Sequence, residues 1–139
     1  MRCNWLRGSV IFLLMPLACQ RVVYLPQTQE MRGYVSYSDG RPLTGGAVEF
    51  RNLRDPTIRA VAEIQRDGSF DLNTLAADRK LQGIPPGRYE VIISPPLETS
   101  QTISPYKLPQ PVEIAQNQNE VRLVIEGFPS NSGGPPGRP

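Results

Sequence analysis

Three observations predict an all-β fold: a seven-stranded β-sandwich behind an N-terminal signal segment. Fifteen prolines and twelve glycines in 139 residues exceed what a helical bundle tolerates. A proline inside a helix removes a backbone donor and clashes with the preceding turn. Apolar and polar residues alternate in short runs such as Val48-Glu49-Phe50-Arg51 and Val121-Arg122-Leu123, the period of a strand with one buried face. Turn signals separate these runs at Asp39-Gly40, Asp67-Gly68 and Pro86-Gly87, where glycine supplies positive φ and aspartate bonds its own backbone.

The first nineteen residues read differently from the rest. Arg2 and Arg7 form a positive start, and residues 10–18 form an apolar stretch. A spanning helix needs about twenty apolar residues, so the expectation is an export signal that is removed. About 120 residues then remain, room for one domain and one core. Residues 20–30 are polar with scattered apolar positions and are interrupted by Pro26; they read as a tether.

The strands follow in order. Val35 and Tyr37 alternate with Tyr34, Ser36 and Ser38, giving the first, and Asp39-Gly40 turns the chain. Residues 47–51 make the second, with Val48 and Phe50 inward, followed by a loop ending at Pro56. Residues 58–65 make a weaker third, because Ala60 and Ala62 have low strand preference. Asp67-Gly68 reads as a hairpin turn into a fourth strand bearing Phe70 and Leu72. Residues 73–82 fit either one short helix or a long loop. Residues 84–87 launch the fifth strand, on which Tyr89, Val91 and Ile93 share a face, and Pro95-Pro96 ends it. After a proline-punctuated excursion over residues 97–109 come a short sixth strand at residues 112–114 and a seventh at residues 120–126. The tail, residues 127–139, has almost nothing apolar with which to offset ordering entropy and is expected to be disordered.

Charge and chemistry exclude several functions. Without Arg2 and Arg7 the fifteen Lys and Arg fall to thirteen, matching thirteen Asp and Glu. No basic stripe results, so nucleic-acid binding, which needs clustered positive charge, is not expected. The chain has no histidine, which removes the usual general base, the commonest zinc ligand and the Ser-His nucleophile. No catalytic residue, metal site or cofactor is expected. Cys3 lies inside the signal and Cys19 at its end, so no disulfide braces the domain.

Met15-Pro16-Leu17-Ala18-Cys19 resembles the lipobox of bacterial lipoproteins, in which a small residue precedes a cysteine that is acylated and becomes the new amino terminus. Ala18 and Cys19 fit that pattern; Pro16 and Leu17 depart from it. The resemblance implies lipidation at Cys19 and an exported protein anchored in the cell envelope. Gln20 in place of an inner-membrane retention aspartate implies the outer membrane or the periplasm. Plain secretion is the alternative.

Gly33, Val35, Asp39-Gly40, Pro42-Leu43, Gly45 and Ala47, together with Asp67-Gly68-Ser69-Phe70 and Ile84-Pro85-Pro86-Gly87-Arg88-Tyr89, resemble the carboxypeptidase-regulatory-like domain. That is a transthyretin-like, or prealbumin-like, sandwich, and the likeness covers residues 31–126. It implies a fold rather than an active site, and with the lipobox it implies a structural or protein-interaction module. Carbohydrate binding is the alternative, with Tyr34 and Tyr106 as candidate ligand contacts among the tyrosines left once Trp5 is lost with the signal. The expected partners are thus a membrane reached through the lipid and an envelope protein or polysaccharide. Asp67 and Asp71 are the nearest approach to a calcium loop and read more simply as turn residues. Lys80 and Lys107, the only lysines, are expected in loops, which disfavours an internal isopeptide bond.

Overall fold

The structure is a computed structural model that describes residues 24–96 and 104–128. The signal segment with Cys19, residues 20–23 of the tether, residues 97–103 of the excursion and the tail from residue 129 lie outside the described residues. Those residues form ten strands and no helix: β1 (Arg32–Tyr37), β2 (Ala47–Asn52), β3 (Arg59–Glu63), β4 (Ser69–Asp71), β5 (Asn73–Ala76), β6 (Arg79–Gln82), β7 (Gly87–Ser94), β8 (Tyr106–Lys107), β9 (Val112–Ile114) and β10 (Glu120–Ile125). A three-stranded sheet, β10-β1-β4, faces a seven-stranded sheet, β6-β5-β3-β2-β7, in which β8 and β9 both lie along the far edge of β7. The all-β sandwich character agrees with the sequence; the number of strands does not.

The extra strands are β5, β6 and, within the expected excursion, β8, and two differences from the sequence reading matter most. Residues 73–82, read as a helix or loop, are the hairpin β5–β6, with Thr74 opposite Leu81 and Ala76 opposite Arg79. Ala77 and Asp78 take φ of 47° and 61° to close it, a conformation that aspartate tolerates but that turn rules do not assign to alanine. Burial favours the strand: Thr74 and Ala76 point inward, and the Thr74 hydroxyl donates to the Gly83 carbonyl at 2.7 Å. The second difference is at Asp67-Gly68. The turn forms, with the Gly68 N–H donating to the Gln65 carbonyl at 3.0 Å, but it does not close a hairpin. β3 pairs with β5 in the large sheet, whereas β4 pairs with β1 in the small one. The turn is a corner between sheets, and its direction is set by the Gly68 carbonyl, which accepts from Val35 at 2.8 Å.

β4 and β5 are one extended path bent at Leu72, whose N–H donates to the Met31 carbonyl and whose carbonyl accepts from Gly83. The chain therefore changes sheet at a buried residue, and the sandwich is closed along that side. The core lies between the sheets and is built around Phe50, whose ring centroid is 6.0 Å from Tyr89 and 6.3 Å from Phe70. Val35, Leu123 and Ile125 enter it from the small sheet, and Val48, Val91 and Ile93 from the large one. The Tyr89 hydroxyl, buried with its ring, donates to the Pro85 carbonyl at 2.7 Å. It thereby holds the Pro85-Pro86-Gly87 turn against the strand that the turn launches. Burial raises the pKa of that phenol, which keeps it a donor.

Candidate functional site

Each sheet presents one outer face away from the core. On the small sheet, β1 and β10 run parallel with Arg32 opposite Glu120, Tyr34 opposite Arg122 and Ser36 opposite Val124, and β4 brings Asp71 and Ser69 alongside Arg32 and Tyr34. Alternation turns the odd-numbered residues of both long strands into the core, so these even-numbered ones line the outside. Arg32 bonds Asp71 at 3.0 Å and Arg122 bonds Glu120 at 2.8 Å. The hydrogen bond to Asp71, followed by its charge, raises the Arg32 pKa. The Arg122 guanidinium lies 5.9 Å from the centroid of the Tyr34 ring, a cation–π arrangement.

Tyr34 is half-buried on this face, as the alternation requires, but it is not an open platform. The guanidinium of Arg122 stands where the C–H face of a sugar would stack. Tyr106 is on the other sheet, opposite Ile93 at the edge of β7, and packs against the core. It lines an open cleft of about 450 Å³ with Pro105, Lys107 and Glu126 to Phe128. The structure therefore does not bring Tyr34 and Tyr106 onto one surface. Tyr37 stacks under Arg41 at 5.5 Å, and Tyr89 is in the core.

The outer face of the large sheet is occupied by its own charges. Glu49 lies between Arg51 at 3.0 Å and Arg59 at 3.6 Å, and Lys107 reaches Glu90 at 2.6 Å. Lys107 and Lys80 are on strands, β8 and β6, rather than in loops. Asp67 and Asp71 do not converge. Asp67 accepts from the Ser69 hydroxyl and amide at 2.6 and 3.0 Å, while Asp71 faces Arg32. Among the described residues no group of three or more His, Cys, Asp or Glu side chains could hold a metal ion.

One positioning residue carries no local sequence signal. Gln29, near the end of the stretch read as a tether, exchanges two backbone bonds with Ile84. Its amide nitrogen donates to the carbonyls of Ala115 and Gln118, and its oxygen accepts from the Asn117 amide at 2.9 Å. These partners are more than eighty residues away along the chain, so only the fold reveals the clamp. It fixes the point where the chain joins the sandwich.

Comparison with known proteins finds no matching family model, and no curated protein or solved structure of significant similarity.

Proposed function

We propose that this chain is a non-catalytic lipoprotein of the bacterial cell envelope, a carboxypeptidase-regulatory-like sandwich that serves as a structural or protein-interaction module. The observation that carries the reading is the sequence from Arg2 to Cys19, a charged start and apolar stretch ending in Ala18-Cys19. Lipid on Cys19 would leave residues 20–28 between the membrane and the clamp at Gln29, a reach of roughly 30 Å when fully extended. That length lifts a small domain clear of headgroups and leaves its faces accessible. The self-paired charges on both outer faces support a module that is soluble on its own and engages partners through loops or strand edges.

Mass analysis of the mature protein tests the anchor. The expected amino terminus is an acylated Cys19, and Cys19→Ser should move the protein from the membrane fraction to the soluble fraction. A free thiol at Cys19, or cleavage elsewhere, overturns lipidation. Cross-linking in intact envelopes should then recover a defined protein neighbour. Retention on envelope polysaccharide that is lost on replacing Tyr34 or Tyr106 would establish the sugar-binding alternative instead, and turnover of a small substrate would overturn both.

A further inference from the structure

β10 is an edge strand of six residues without proline or bulge, and among the described residues its only pairing partner is β1. Edge strands with unpaired backbone groups are sites of strand addition unless something blunts them. The free groups can be assigned. The Asn119 and Ile125 carbonyls accept from Arg32 and Ser38 of the β1 segment, so odd-numbered residues of β10 point their backbone at β1. The N–H and C=O of Glu120, Arg122 and Val124 therefore point to the open side, and of these the Glu120 carbonyl accepts from the Gln118 side chain. Among the described residues Val124 is one of few large apolar side chains that are exposed, at 57%.

We propose that the β10 edge pairs antiparallel with β10 of a second copy of this chain, about a two-fold axis through Val124. Pairing through the free backbone groups requires even-numbered residues to lie opposite even-numbered ones, which leaves four central registers. An axis at Arg122 sets two arginines directly opposite, and one at Leu123 sets Glu120 opposite Glu126; both place like charges together. An axis at Val121 pairs Glu120 with Arg122, but the Glu120 carbonyl is already taken by the Gln118 amide at 2.8 Å. There the chain also turns away at Asn117, whose φ is 65°. The axis at Val124 sets Val124 against Val124 and, on both sides of it, Arg122 against Glu126 of the second copy. It covers the exposed valine, makes two opposite-charge pairs and joins two three-stranded sheets into one of six. The contact is isologous and closes on itself. It does not depend on lipidation, although confinement to a membrane would raise the effective concentration of copies and favour it.

Sedimentation velocity of the full chain from about 1 µM to 1 mM tests this, spanning the range in which small interfaces form. A reversible monomer–dimer equilibrium is expected. Arg122→Glu, which sets Glu against Glu126 twice, should weaken dimerisation about tenfold or more, as should Glu126→Arg. The double charge swap should restore it, since every cross-axis pair is again opposite in sign. Val124→Pro should abolish the dimer while leaving β1–β10 pairing intact, because the lost N–H faces the open edge. A melting temperature near that of the parent checks that each variant is folded. A chain that stays monomeric throughout, or a double swap that fails to restore a dimer lost in the single variants, overturns the proposal. The acylation state of Cys19 bears on neither outcome.

Discussion

The two sheets are assembled in different ways. In the large sheet several pairings are between neighbours in sequence: β2 with β3 and β5 with β6 are hairpins, and β7 takes β8 and β9 from the segment that follows it. The small sheet has no such pairing. Arg32 of β1 lies between Asp71 of β4 and Glu120 of β10, three segments from the beginning, middle and end of the domain. Local loop closure makes the first kind of sheet inexpensive in chain entropy, whereas the second must bring distant segments together before any contact compensates. The small sheet is therefore held in place largely by what it packs on, and Phe50 of the large sheet is where Phe70 of the small one makes that contact.

Removing Phe50 should have the largest effect. The ring is fully buried and touches both Tyr89 and Phe70, so Phe50→Ala should cost about 3–5 kcal/mol, measured by urea denaturation. This is a large part of the stability of an ordinary domain. If the two sheets depend on one another as described, a single cooperative transition moves to lower denaturant. Two separate transitions would show that each sheet stands alone.

A smaller effect separates two glycines. A Cβ on Gly33 would fall within the van der Waals shell of the Phe70 ring, which is itself pinned in the core. Gly33→Ala should cost about 1–3 kcal/mol by overpacking, and Phe70→Leu in the same chain should relieve part of that cost, a coupling that a double-mutant cycle reads directly. Gly40 has open space around its missing Cβ but a φ of +86°, so Gly40→Ala should cost only the backbone term, about 1 kcal/mol. Phe70→Leu should leave that term unchanged. Equal coupling at both glycines would refute the packing account.

The difference between the sheets also explains what could be read from the sequence. The inward faces of β1, β2, β7 and β10 follow from alternation, because Val35, Phe50, Val91 and Leu123 obey the period of two and the core rewards it. Pairing does not follow. Nothing in Asp67-Gly68 says that the next strand will join β1 rather than fold back on β3; that depends on the Gly68 carbonyl meeting Val35. The β5–β6 hairpin was hidden because Ala77 adopts a turn conformation that its side chain disfavours, while Leu75-Ala76-Ala77 has the composition of a helix. Of the candidate contacts, the outward position of Tyr34 was legible. The guanidinium of Arg122 over it was not, since that contact requires β1 and β10 to be parallel neighbours.

The smallest expected effect is on pH dependence, and it sharpens the comparison because two of the three aspartates concerned lie in turns that serve the small sheet. The Asp39 carboxyl is held below the usual range first by the Arg41 amide, and Asp67 first by the Ser69 hydroxyl and then its amide; Asp55, between β2 and β3, is lowered in the same way by Thr57. Each folded pKa lies below the unfolded value of about 3.9. The stabilisation is thus complete above that value and is lost as pH falls through the folded one. All three groups are exposed, so the contribution of each is small. Melting temperature should fall below about pH 4, and replacing the three with asparagine, which keeps an acceptor but cannot titrate, should flatten that fall. Hydrogen exchange should show β1 and β4 losing protection on acidification before β2 and β7, because Asp39 and Asp67 sit at the turns that end one and begin the other. Uniform loss across both sheets would mean that the turns of the small sheet are no more dependent on these carboxylates than the core itself.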